Sequence, residues 1–342
     1  MVAQRCRALA PMRAVDNVVA GGGCYNRVVP RTLTTTPARD GFAMPSELGP
    51  HRCCWMLWPE RPDNWRARAH PAQRAFATVA SAIARFEPVV MGASTAHYAA
   101  ARAALPPSVR VVELSSDDAW MRDTGPSFVA NRAGAVRGVH WRFNAWGGLY
   151  QHFERDLLVA QKVLELADCE RYCAPMVNEG GAIHVDGEGS ALVTEQCLLN
   201  RNRNPKLSRA QIESLLRQYL GVQLIIWLGA GVVDDETSGH IDNLACFVRP
   251  GEVCLTWSDD RRDPQHRVSL DALERLSAAR DARGRRLRVH KLPHPPPMYM
   301  RAREAAGIAL RPDIRPLRSG QRLAASYVNF YPANGAVVFP LF

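Results

Sequence analysis

Lysine is almost missing from this 342-residue chain: Lys162, Lys206 and Lys291 are the only lysines among 43 basic side chains, and arginine supplies the rest. Usage this lopsided reads as codon bias rather than selection for phosphate contacts, in which either cation serves. The net charge of +10 is uneven, with residues 1–43 at +4, residues 261–322 at +10 and the remainder at −4. The basic stretch lacks the interleaved aromatics that stack on single-stranded bases, so no nucleic-acid partner is expected. Long apolar runs are missing too. The most apolar stretch, LGVQLIIWLGAGVV, is interrupted by Gln223 and glycines, and none reaches the roughly 18 residues that cross a bilayer. The nine cysteines show neither disulfide nor zinc spacing, which points to a reduced cytoplasmic protein.

What is present has the texture of a large α/β or α+β fold with mixed sheets. Short strands such as CCWMLWP, FEPVVMGA and VRVVELS alternate with helical patterns such as HPAQRAFATVASAIARF and YQHFERDLLVAQKVLELA. SRAQIESLLRQYLG reads as a helix capped by Ser208 and ended by Gly221. HIDNLACFVRPGEVCLTW reads as a hairpin turning at Pro250-Gly251, and SYVNFYPANGAVVFPLF as another turning at Asn334-Gly335. Residues 1–35 stand apart. They are arginine-rich, nearly acid-free and lack hydrophobic periodicity, as in a transit peptide, a disordered extension or an over-long reading frame.

Four clusters carry candidate chemistry: SSDDAWMRDTGPSFV around Trp120 and Asp123, NEGGAIHVDGEG with Glu179, His184, Asp186 and Glu188, the FNAWGG turn, and DDETSGHIDNLACF with Glu236, His240 and Asp242. Taken singly, each has a structural explanation: acids cap turns, paired glycines bend chains, and alternating polar residues face water. His240 and Asp242 are harder to explain that way. Read as a strand, their side chains share one face about 7 Å apart, followed there by apolar Leu244 and Cys246. A carboxylate beside a histidine favours the imidazolium and tunes it for proton transfer. A metal held by His184, Asp186, His240 and Asp242 is the weaker alternative, because no clustered ligand spacing occurs, and none is expected.

Together with MPSELGPHRCCWMLWPERPDNWR, NEGGAIHVDGEGSALVTEQCLLNRNRNP and RLAASYVNFYPANGAVVFPLF, these motifs closely resemble the agmatine deiminases, members of the bacterial-type peptidylarginine deiminase family, from about Thr36 to the last residue. The resemblance implies a pentein fold of five ββαβ modules around a central tunnel, in one catalytic domain over residues 36–342. It implies cofactor-free hydrolysis of agmatine, a small cation, to N-carbamoylputrescine and ammonia, and a homodimer. Carried over by position, Asp123 and Asp242 would grip the guanidinium, His240 would be the general acid/base, Glu179 would belong to the same pocket and Trp120 would line it.

The family's nucleophile is a cysteine in a G-G-G-N-I-H-C segment near the C-terminus, and no such segment occurs in these 342 residues. Gly21–Gly23 before Cys24 lacks the Asn-Ile-His. Cys197, in TEQCLLN, reads as structural, and Cys246 would stand about 20 Å along the strand from His240. The expectation is therefore a C-terminally truncated chain with an incomplete fifth module, inactive by itself. A non-catalytic guanidinium-binding regulator, or a deiminase of another guanidine such as peptidyl-arginine, is the alternative.

Overall fold

The computed structural model describes residues 30–310 and 317–342. Strand β1 (Thr32–Leu33) is followed by β2 (Cys54–Leu57), helix α1 (His70–Ile83), β3 (Val89–Ala93), helix α2 (Tyr98–Ala104) and β4 (Val109–Glu113). β2, β3 and β4 pair in parallel, and β3 is buried along its whole length, as expected of a strand covered on both faces.

The next 170 or so residues repeat one motif three times: an antiparallel hairpin, a helical crossover, and a strand returning parallel to the second arm of the hairpin. The first unit follows a single-turn helix α3 (Met121–Thr124) and comprises β5 (Ser127–Ala130), β6 (Val136–Arg142), the kinked turn α4 (Ala145–Gly148), α5 (Asp156–Leu166) and β7 (Arg171–Val177). The second comprises β8 (His184–Val185), β9 (Ser190–Thr194), α6 (Glu195–Leu198), α7 (Arg209–Leu220) and β10 (Leu224–Leu228). The third follows single-turn helix α8 (Ile241–Leu244) and comprises β11 (Ala245–Arg249), β12 (Glu252–Trp257), α9 (Pro264–Ala278) and β13 (Arg288–Pro293). After α10 (Ala302–Ala305), a hairpin of β14 (Tyr331–Ala333) and β15 (Ala336–Val338) forms a fifth, two-stranded sheet. α7 carries the expected capping box of Ser208 and Gln211 and ends on Gly221 in the left-handed conformation.

Three sequence expectations change. Residues 32–35 belong to the body and not to an extension: β1 lies parallel to β7, Leu33 is buried in the core, and Thr35 Oγ1 donates to Asp40. Residues 1–29 of the extension, including Gly21–Gly23 and Cys24, lie outside the described residues. The stretch from His240 does not enter its hairpin directly. It makes one helical turn before β11 begins at Ala245, so His240 and Asp242 are not strand neighbours. AIHVDG holds only the two-residue strand β8. Asp186 accepts from the Glu188 and Ser190 backbone N–H groups at 2.8 Å each, and so closes a turn from a buried position rather than facing water. Among the described residues no helix is long and apolar enough to cross a membrane.

Candidate active site

Each of the three repeated units is preceded by a one-turn helix or turn, and these three turns pack together. They deliver Asp123 on α3, Glu179-Gly180-Gly181 ahead of β8, and His240 with Asp242 at the start of α8. The glycines make the approach fit. A Cβ on Gly180 would collide with the Arg122 carbonyl oxygen at 1.9 Å. One on Gly181 would lie 2.5 Å from both Asp242 Oδ2 and His240 Nδ1, and 2.9 Å from Asp123 Oδ1. Two carboxylates and an imidazole therefore converge on one bare backbone position.

Asp123 is held from two sides. Its Oδ1 accepts the Gly181 N–H at 2.9 Å and its Oδ2 accepts the Trp146 indole N–H at 3.0 Å. Trp146 reaches that oxygen because α4 is bent: Ala145 and Trp146 both have positive φ, near +53°, and Asn144 Oδ1 accepts the Gly147 N–H to close the turn. Glu179 is fully buried and its Oε1 accepts from Arg203 Nε at 2.7 Å. Arg203 is itself clamped, donating to Asn202 Oδ1 and the Thr237 carbonyl. His240 lies between the two acids, with Nδ1 3.8 Å from Asp123 Oδ1 and Nε2 3.7 Å from Glu179 Oε2. Its backbone N–H donates to Asp235 Oδ2.

The site is electrostatically tense. Burial raises the Asp242 pKa to about 7; the nearby Asp123 adds to the rise and His240 opposes it. Burial also raises Asp123, with Glu179 adding and His240 and the Gly181 N–H opposing. For Glu179, burial is outweighed by His240 and Arg203, and its pKa is lowered. For His240, burial is outweighed by Asp123, Cys197 and Glu179, and its pKa is raised well above 6.5. Three buried atoms of these four residues make no hydrogen bond: Asp242 Oδ1, Glu179 Oε2 and His240 Nε2. Buried acceptors without partners are rare; Glu179 Oε2 at least faces the His240 imidazolium, whereas Asp242 Oδ1 lies where a cationic hydrogen-bond donor would satisfy it.

Asp242 also lines a small cavity, about 20 Å³, with Glu47, Arg122, His184, Cys246, Phe247 and residues of the C-terminal hairpin. Glu47 and Arg122 form a doubly hydrogen-bonded pair across this wall, which with His184 holds Glu47 down at about 2 against the effect of burial. Because α8 turns the chain, Cys246 borders the same cavity as Asp242, and the separation of about 20 Å expected from a straight strand does not hold. Burial pushes the Cys246 thiol up, so it is no resident thiolate. Cys197 is also not remote from the chemistry: its sulfur, His240 and Glu179 offer ligand atoms within 4.8 Å of one another.

Other candidates fall outside. Trp120 is 42 % exposed, leans on Trp65 at 5.5 Å, and is not among the residues lining the cavity. Glu188 pairs with Arg285 at the surface. Glu236, pushed up by burial and by Asp235, belongs to the loop before His240. Asp117 and Asp118 anchor the loop before α3. The four groups weighed as metal ligands do not assemble as a set; the one metal-capable group among the described residues is Glu179, Cys197 and His240. Sequence reasoning missed Arg203, Trp146 and the Glu47–Arg122 pair as individual contributors, although all lie in the motifs that carried the resemblance. Arg203 is an arginine in a polar loop, and nothing local marks it as buried.

The profile of the Porphyromonas-type peptidyl-arginine deiminase family matches residues 43–342. The agmatine deiminase of Stutzerimonas stutzeri is 56 % identical over 317 residues, covering 91 % of this chain and 86 % of that protein. That of Pseudomonas aeruginosa is 55 % identical over 315 residues, covering 90 % and 86 %. The structure of the Enterococcus faecalis agmatine deiminase superposes with a TM-score of 0.89 at 44 % identity, covering 92 % of this chain and 87 % of that one.

Proposed function

The chain belongs to the Porphyromonas-type peptidyl-arginine deiminase family, and from that premise we propose that it acts on agmatine, in the reaction that gives N-carbamoylputrescine and ammonia. The fold is that of a pentein, with five sheets and a thrice-repeated ββαβ unit. The observation that carries the site reading is the convergence of Asp123, Asp242 and His240 over Gly181. A guanidinium is planar, permanently charged and forked, so two carboxylates on either side hold it by paired charge-assisted bonds and leave its central carbon open. Its arrival supplies the partner that Asp242 Oδ1 lacks and reverses the burial penalty that keeps Asp242 near 7.

In that pose His240 has the proton inventory the reaction needs. Thiolate attack on the guanidinium carbon makes a tetrahedral adduct. Protonation of one nitrogen by His240 lets ammonia leave, and an S-alkylthiouronium remains. Neutral His240 then takes a proton from water as its oxygen attacks the same carbon, and the C–S bond breaks to regenerate the thiolate while the remaining hydroxyl proton passes to the released ammonia, giving ammonium. Glu179, fixed by Arg203, keeps His240 charged between turnovers.

Asp and His cannot replace the thiolate. Cys246 is protonated at the cavity wall and Cys197 is enclosed behind His240. These 342 residues thus carry the binding and proton-transfer groups, and we expect agmatine to bind them without turnover. Calorimetric titration with agmatine, run beside an ammonia-release assay on the same sample, tests both clauses. Saturable binding that is lost in Asp242→Asn, with no ammonia released, is the expected result. Absence of binding would sink the guanidinium reading, and robust ammonia release would sink only the missing-thiolate clause.

A further inference from the structure

Cys197 has no part in the proposed chemistry, yet it is one of three buried groups whose ligand atoms lie close together. It sits on α6, fixed by the Thr194 hydroxyl accepting its backbone N–H at 3.2 Å. Its sulfur, a His240 ring nitrogen and a Glu179 oxygen all lie within 4.8 Å of one another, and the His240 nitrogen that faces Glu179 is Nε2. Cys197 and Glu179 are fully buried and His240 is 2 % exposed. A buried thiol near a histidine is ordinarily packing. Here His240 Nε2 and Glu179 Oε2 are both buried without a hydrogen bond, and they are 3.7 Å apart. Two polar atoms that face each other beyond hydrogen-bond distance, with a sulfur within 4.8 Å, leave room for a cation between the three.

We propose that Cys197, His240 and Glu179 form a binding site for a thiophilic divalent cation of the zinc or cadmium type, distinct from the guanidinium subsite on the opposite edge of the imidazole. Zinc-to-ligand bonds of about 2.0–2.3 Å place tetrahedral donors roughly 3.3–3.8 Å apart. The His240–Glu179 edge already has that length, and the sulfur closes the triangle by moving on the order of 1 Å. The surrounding contacts suit a metal. Glu179 Oε1 is occupied by Arg203, which leaves Oε2 to coordinate, and His240 Nδ1 faces Asp123, the carboxylate partner that a metal-bound histidine uses to fix its tautomer. Binding displaces one proton from the thiol and, where present, one from the imidazole, and a water completes the fourth position. A cation there withdraws the Nε2 lone pair from His240 and so blocks its turn as a base. That consequence rests on the proton-transfer reading, whereas the site itself does not.

The test is a titration of the purified chain with CdCl₂ alone, read by the ultraviolet cadmium–thiolate charge-transfer band. Wild type is expected to take up one more Cd²⁺ per chain than Cys197→Ser, and Cys246→Ser is expected to match wild type. Equal uptake by wild type and Cys197→Ser overturns the site. Should Cys197→Ser fail to fold, Glu179→Gln decides: its Cd²⁺ affinity is expected to fall at least about tenfold, and unchanged affinity overturns the proposal. Agmatine titration of the same samples separates this idea from the functional one. Agmatine binding without a Cys197-dependent Cd²⁺ refutes only the cation site, and the reverse refutes only the guanidinium reading.

Discussion

Asp156 and Asp242 are both buried acids held up to about 7, in each case chiefly by desolvation, and neighbouring acids add to both shifts. Their surroundings differ in one respect. Asp156 Oδ1 accepts the backbone N–H groups of Asp117 and Asp118, and Oδ2 faces the Tyr150 hydroxyl at 3.5 Å. Its neighbour Asp118, pushed to about 6, is likewise filled by Asn64, Trp65 and the Ala119 N–H. Asp242 keeps a buried oxygen with no partner, beside His240 and Glu179 atoms in the same condition. A raised carboxylate pKa therefore does not mark a site by itself; both clusters have one. An unfilled acceptor does so only in company: Asp186 Oδ2 is also buried without a partner, but Asp242 Oδ1 stands beside Asp123 and His240 over bare Gly181, where a cation can reach all of them.

Asp242 is where the two acid clusters should differ most on substitution. Asp242→Asn is expected to weaken agmatine binding at least about 100-fold, roughly 2.7 kcal/mol, without lowering Tm, since it removes a charge that opposes Asp123. Calorimetry beside thermal unfolding checks this; parallel losses in both would make Asp242 structural. Asp156→Ala should behave in the opposite way. It strips two backbone N–H groups of their acceptor, and denaturant titration should show a loss of about 2–3 kcal/mol, while agmatine affinity per folded molecule stays within about twofold. Gly181→Ala sharpens the geometric half of the contrast. A methyl placed among Asp123, Asp242 and His240 should reduce agmatine affinity at least about tenfold, with a folding cost of about 1–3 kcal/mol from overpacking.

A smaller effect concerns pH. Asp242 has a folded pKa above its unfolded value, so the native state holds a proton that the unfolded chain releases. Its contribution to stability is present at low pH and is lost as pH rises through about 7. Asp242→Asn removes that loss. The stability advantage of the variant should thus be near zero below about pH 4, grow between about pH 4 and 7, and level off at about 1–2 kcal/mol at pH 8, less than full linkage gives because the side chain borders the cavity. An advantage that shrinks with rising pH would contradict the assignment.

Much of this was legible in the residues. Strand and helix patterns placed most elements, because each helix of ten or more residues carries a readable apolar stripe and each buried strand an apolar run. The site residues came from motifs, and the structure brings Asp123, Glu179, His240 and Asp242 together while leaving Trp120 half exposed beside Trp65. The failures share a cause. His-x-Asp-x-Leu-x-Cys alternates like a strand, and a four-residue helix is too short to show any period against it. That one turn moved Cys246 from a distant position to the cavity wall. β1 was lost for the same reason, since a two-residue strand has no pattern. Arg203 and Cys197 owe their roles to long-range packing on Glu179 and His240, which no local window contains.

The contrast between the two acid clusters is tested most directly by following the side-chain carboxyl ¹³C signals of Asp242 and Asp156 through a pH titration, with and without agmatine. The account predicts that both titrate near 7 in the free protein, and that agmatine drives Asp242 well down toward ordinary aspartate values while Asp156 stays where it was. An Asp242 signal that ignores agmatine, or an Asp156 signal that follows it equally, would contradict the claim that the unfilled acceptor marks the guanidinium site.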